Sequence, residues 1–169
     1  QQDNSAISVA SRSDDGEIGE RDYFSVAGCE NATIAVDPRD PMITYGGCYL
    51  GSFSRYDHRA RQERDISVWM RNYDGYGAKD VPNRFQWTFP VLLSPHDPQT
   101  LYVTSQHVWR SRNEGASWER ISPDLTRADP RTLERTGGPI HGEMTGAEWY
   151  ATIYAFGESP RQQGVLLLL

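Results

Sequence analysis

The chain has 169 residues, enough for one domain with a sizeable core, and 37% hydrophobic against 24% charged residues place it among globular rather than disordered sequences. A net charge of −6 leaves no basic footprint for nucleic acid, so no nucleic-acid partner is expected. No run reaches the roughly 20 apolar residues of a membrane-spanning helix, and the most apolar one, "GVLLLL" at 164–169, has the length of a buried strand.

Residues 1–22 form an acidic segment expected to be loosely ordered, with its acids running from Asp14 to Asp22. It lacks the basic start and apolar middle of a secretory signal, so the chain is either mature after cleavage or was never exported. Cys29 and Cys48 follow, in the similar glycine-flanked settings "AGCENA" and "GGCYLG". Two readings stay open for them: a disulfide between neighbouring strands, or two buried thiols. No histidine stands at ligand spacing from either, so no metal site is expected. "NAT" at Asn31 is a glycosylation sequon, meaningful only in a eukaryotic secretory route.

From residue 30 onward the chain repeats. "TIAVDPRDPMITYGG" (33–47), "PVLLSPHDPQTLYVTS" (90–105) and "TIYAFGESPRQQGVLLLL" (152–169) share one layout. Pro38 lies over Pro95, Asp40 over Asp97 and Tyr45 over Tyr102, all 57 residues apart, and Ser54 and Arg55 fall over Ser111 and Arg112 at the same offset. Each copy begins with an apolar strand, turns through Pro and Asp, and continues into a second strand. A third strand ("SFSRYD" or "HVWRSR") leads to a tight turn and a fourth ("ISVWM" or "SWERIS"). Short strands on this period predict an all-β chain of β-propeller blades: about two complete four-stranded blades and part of a third, at about 30–75, 85–122 and 150–169. That number cannot close a ring, which needs about four blades, so residues 23–169 are expected to form part of a larger one. Its open edge is expected to be covered by further blades or another subunit.

"SRNEGASW" has a strand on each side. Asn113 and Gly115 suit a turn needing positive φ, Ser111 can bond the turn backbone, and Trp118 returns apolar area to the core. The motif resembles the Asp box, S-x-D-x-G-x-[TS]-W, of bacterial neuraminidase repeats, with Asn113 where that family usually has Asp. There the box is a folding element on a blade's outer hairpin, and Ser111, Asn113, Gly115 and Trp118 are read here as scaffold.

"FSRYDHR" (53–59), "RFQWTFPVLLSPHDPQTLYVTSQHVWRS" (84–111), "ISPDLTRADP" (121–130) and "GGPIHGEMTGAEWYATIYAFGESP" (137–160) together resemble a group of bacterial exported propeller proteins, known as sortilin-like or neuraminidase-repeat proteins and sometimes as glycosyl hydrolases. The resemblance spans about residues 23–165. It implies a propeller fold and a periplasmic or extracellular location, and its members are longer, so it also implies that this chain is a piece of one.

Several polar groups are candidates for function. In "RYDHR", Asp57 and His58 are a ligand contact or half of an acid–base pair, or else a charged turn in water, which is the simpler reading. Glu30, Glu143 and Glu148 precede inner strands, whose leading loops open onto one face of a propeller. Two such carboxylates could serve glycoside hydrolysis if they stood roughly 5–10 Å apart. His141, Trp149 and Tyr150 are candidate ligand contacts, with aromatics to stack on sugar rings. The competing reading is that Glu148 and the aromatics brace the packing. The polar connection at 121–146 is expected to cap one face, with a single helical turn around "ADPRTLE". No nucleophile–base pair, metal spacing or phosphate loop stands in the sequence, so no cofactor is expected. The preferred expectation is a non-catalytic binding or scaffold propeller with a protein, peptide or glycan partner. The alternative is a glycosidase of the xyloglucanase or sialidase-like type.

Overall fold

The computed structural model describes residues 4–30, 33–69, 72–73, 75–140, 142 and 149–169. Among these residues twelve short strands form four antiparallel sheets. β1 (Ile7–Val9) pairs with β2 (Tyr23–Ser25). The first four-stranded sheet runs β3 (Ile34–Val36), β4 (Ile43–Gly47), β5 (Phe53–Asp57) and β6 (Gln62–Asp65) in chain order. The second runs β7 (Val91–Leu93), β8 (Leu101–Thr104), β9 (Val108–Ser111) and β10 (Glu119–Arg120), and β11 (Phe156–Glu158) pairs with β12 (Leu166–Leu168). Helix among the described residues is limited to four single 3-10 turns. One of them, Pro130–Thr132, sits in "ADPRTLE", where Asp129 accepts the Arg131 N–H and Pro130 supplies the fixed φ of a first helical position.

The first hairpins of the two four-stranded sheets have matching registers, 57 residues apart. Val36 pairs with Thr44 as Leu93 pairs with Leu101, and Ala35 with Tyr45 as Leu92 with Tyr102. The turns between these strands are built alike. Asp37 accepts from the Arg39 N–H and Ser94 Oγ from the N–H groups of His96 and Asp97, while Asp40 and Asp97 carbonyls accept from Ile43 and Thr100. The alignment of Ser54 and Arg55 over Ser111 and Arg112 does not survive. Tyr45 faces Arg55 and Tyr102 faces Arg110, so the offset drops to 55 beyond the second strand. Five residues (48–52) join β4 to β5, against three (105–107) between β8 and β9. The longer connection holds Cys48, the 3-10 turn Tyr49–Gly51 and Leu50 at φ 61°.

The fourth strand of the first sheet also differs from expectation. It is Gln62–Asp65, not "ISVWM", because a four-residue turn with Arg61 at positive φ closes the hairpin at Asp57 and Gln62. Ile66 then falls past the strand end and turns into the core. That core lies between the two four-stranded sheets and joins Tyr45, Phe53 and Ile66 to Phe85, Phe89, Leu101 and Val103. Backbone approaches closely here: a Cβ on Gly47 would stand 2.2 Å from the Phe89 ring. A second core patch, Tyr102, Val108 and Ile153, ties the second sheet to the segment before β11.

Part of the acidic N-terminal segment is ordered as β1 on β2, since "ISV" and "YFS" carry strand-forming residues. Phe24 packs edge-on against His58 of the first sheet, with ring centroids 4.7 Å apart. The connection after β10 folds back over residues 77–80, where the Lys79 N–H donates to the Leu133 carbonyl and Lys79 Nζ pairs with Glu134. No helix among the described residues is long and apolar enough to cross a membrane.

Candidate functional site

In a four-stranded meander, alternate connections lie at opposite ends of the sheet. The first-to-second and third-to-fourth turns share one end. The second-to-third connection shares the other with the segment leading into the first strand. Both four-stranded sheets present the same ends together. Tyr49 packs on Trp87 with centroids 4.9 Å apart at one end, and Arg39 shares a cavity with Gln99 and Arg112 at the other. The candidate residues are divided between these ends. Glu30 leads into β3 beside Cys29, while Asp57 and His58 lie at the opposite end. His141, Glu143 and Glu148 lie outside the described residues.

Asp57 is engaged in its own turn: Oδ1 accepts the N–H groups of Arg59 and Ala60. His58 lies against the rings of Phe24 and Tyr56, the latter 4.5 Å away. Burial among them pushes its imidazole below the ordinary histidine range, with the Asp57 charge opposing. No bond joins Asp57 to His58, so the pair is arranged as a braced turn.

Ser111 Oγ donates to Asn113 Oδ1 at 2.9 Å and accepts the Gly115 N–H at 2.9 Å. Asn113 Oδ1 also accepts the Ser117 N–H, and its Nδ2 donates to Ser117 Oγ, a bond an aspartate could not donate. Gly115 takes φ 78° against Ile66, and Trp118 Nε1 donates to the Ile66 carbonyl at 2.7 Å. The polar contacts of the Ser111, Asn113 and Trp118 side chains all go to the hairpin or to the neighbouring sheet.

Cys29 and Cys48 are joined by a disulfide, with their Cα atoms 5.1 Å apart. The Cys29 N–H donates to the Gly47 carbonyl, so the bridge fixes the segment leading into β3 onto the end of β4.

At the end that holds Glu30, the second sheet carries a buried polar network. Arg84 has a side chain 7% exposed and donates from Nη2 to Asp124 Oδ2 (2.6 Å) and from Nε to the Ala151 carbonyl (3.0 Å). Gln106 accepts the Arg84 N–H and donates to the Pro82 carbonyl. Burial raises the Asp124 carboxyl, but the Thr126 and Arg84 bonds outweigh it and hold it below the usual range. Beside this network opens a cleft of about 450 Å³ lined by Thr126, Arg127, Trp149, Tyr150 and Tyr154, among others. Trp149 is almost fully buried, packed on Tyr73 and Val81, so the rings offered to solvent are Tyr150 and Tyr154. Among the described lining residues Arg127 is the one with a charged side chain. Such a surface can hold a ligand by ring contact, hydrogen bonds and one guanidinium.

No protein-family model matches the chain, and no curated protein matches it significantly. The residues of the network beside the cleft, Arg84, Gln106 and Asp124, carry no signal in the local sequence. Arg84 meets partners 40 and 67 positions away, a pairing that spacing within a motif cannot encode.

Proposed function

We propose that the chain is a non-catalytic binding or scaffold segment of β-propeller type, presenting a polar face to a protein, peptide or glycan partner within a larger assembly. The observation that carries this reading is the cleft at the Trp149–Tyr154 segment, which brings the exposed rings of Tyr150 and Tyr154 together with the Arg127 guanidinium. Asp57 and His58 support it, because a capped turn and an imidazole packed among rings are poor acid–base partners. The blade assignment is supported by two meanders with equivalent first hairpins, a shared core between them, and a turn with the bonding of an Asp-box scaffold. On this reading the pair β11 and β12 is the start of a third blade. The disulfide supports export to an oxidising compartment.

The alternative, a glycosidase, needs two of Glu30, Glu143 and Glu148 in one cleft. Incubation with a polysaccharide panel separates the two. The expected result is retention on peptide or glycan arrays, weakened by Tyr150→Ala, with no release of sugar. Sugar release abolished by Glu148→Gln or Glu30→Gln would overturn the binding reading.

A further inference from the structure

A second cavity, about 280 Å³, lies between the turns of the two four-stranded sheets, at the end away from the Trp149 cleft. Its walls are Arg39 from the turn after β3, Gln99 from the matching turn after β7, and Arg112, Asn113 and Glu114 from the turn after β9. Most of these walls are held by bonds to groups outside the space. The buried Asp37 holds Arg39 through Nε at 3.0 Å and Nη2 at 2.6 Å. Asn113 is tied to Ser111 and Ser117. Glu114 Oε2 pairs with Arg55 Nε at 2.8 Å, and its carbonyl accepts from Arg64 Nη2 at 2.7 Å. Arg112 differs: among the described residues its guanidinium has no carboxylate within ion-pair distance. Asp97 is engaged by the Thr100 hydroxyl and the Gln99 N–H. Those two bonds hold its carboxyl below the usual range, and the charges of Arg112 and Arg39 add to the effect, so both guanidinium groups act on the same small volume.

We infer that this cavity is a binding site for a carboxylate, either of a small free organic acid or of an acidic side chain on a partner. A guanidinium presents a flat fork of N–H donors that matches the two oxygens of a carboxylate. Arg39 offers such a group already oriented, with Nη1 outside its bonds to Asp37. A donor fixed in advance loses little freedom when the ligand arrives. Arg112 supplies the countercharge, and the Gln99 amide is a neutral donor. Glu114 selects against a dianion, because a second negative charge would be brought up to its own carboxylate. A neutral ligand would leave the Arg112 charge unmatched. The volume is at the small end for ligand pockets and suits a side chain or a short acid better than a sugar chain. The site is distinct from the cleft at Trp149 and does not rest on the function proposed for it.

The test titrates the 169-residue chain at low salt with propionate, with N-acetyl-glutamate amide, with its neutral counterpart N-acetyl-glutamine amide, and with sulfate, following the backbone amides of Gln99, Arg112 and Glu114 by NMR. Binding of propionate or the glutamate amide in the millimolar range is expected, with those resonances shifting, the glutamine amide silent and sulfate weaker. A response to both carboxylates shows that a free acid suffices, and a response to the glutamate amide alone identifies the side chain as the source. Arg112→Gln removes a charge that has no described ion-pair partner. It should weaken binding roughly tenfold at the parent's melting temperature. No response to either carboxylate, equal binding of the glutamate and glutamine amides, sulfate bound more tightly than both carboxylates, or an Arg112→Gln variant that binds like the parent would overturn the inference.

Discussion

Trp118, in the last hairpin of the second sheet, donates its indole N–H to the carbonyl of Ile66, just past the last strand of the first, at 2.7 Å. The same Ile66 fills the space beside Gly115, where a Cβ would stand 2.6 Å from it. The two sheets are thus joined by a polar bond and a close backbone approach at one spot. Replacing Trp118 by Phe keeps most of the packing and orphans the carbonyl. A loss of about 1–2 kcal/mol is expected in urea unfolding. Gly115→Ala should cost more, because it combines positive φ with a clash. A Trp118→Phe variant with the parent's midpoint would show that the bond contributes nothing.

The Cys29–Cys48 bridge closes a loop across 19 positions. In the chain-entropy account such a loop stabilises by about 3 kcal/mol. Reduction, or the double change to Ser, should lower the melting temperature by a margin that reductant does not add to in the Ser variant. Alkylation under non-reducing conditions that labels both thiols would remove the bridge altogether.

Asp37 is held below the usual carboxylate range, chiefly by its side-chain bonds to Arg39, with burial opposing. A depressed folded-state value means the unfolded chain takes up the proton first. The contribution is therefore complete above the unfolded value, near pH 4, and is lost as pH falls through the lower folded value. Unfolding free energy measured from about pH 6 to 2 should fall along an acid limb that is shallower in Asp37→Asn. Identical limbs would assign the acid sensitivity to other carboxylates.

Arg84 serves Asp124 and the Ala151 carbonyl at once from a buried position. Arg84→Met preserves the stem and strands both acceptors, so a loss of about 2–3 kcal/mol is expected. The change should also loosen the Trp149–Tyr154 segment, seen as faster amide exchange at Ile153, whose N–H donates to Ser105. Unaltered exchange there would separate the network from the cleft.

How much of this was legible depends on the range of the interactions. The first hairpin of each sheet could be read because Pro38 and Pro95, with Asp40 and Asp97, are local turn chemistry repeated at one spacing. The register beyond it could not, because the repeated Ser–Arg pair suggested a constant offset while the connection after β4 holds two more residues. "ISVWM" has a strand's composition, yet the tight turn at 58–61 uses up the fourth strand before Ile66 is reached. At the site, Trp149 was expected as a stacking ring. Its neighbours Tyr73 and Val81 come from far along the chain, and their packing places it in the core while Tyr150 and Tyr154 stay outside.

The outermost strands of the two large sheets read "QERD" and "ER", exposed along their length. A free strand edge is a template for any extended chain that meets it, and alternating charge on that edge makes the match costly. These sheets are therefore protected against recruiting foreign strands along those two strands. The flank of each sheet offers a neighbour side-chain packing rather than backbone pairing. Removing the charges, for example by Glu63→Val with Arg64→Thr, would turn a silent rim into a nucleus for fibrous aggregates without disturbing the core that Ile66 and Trp118 share.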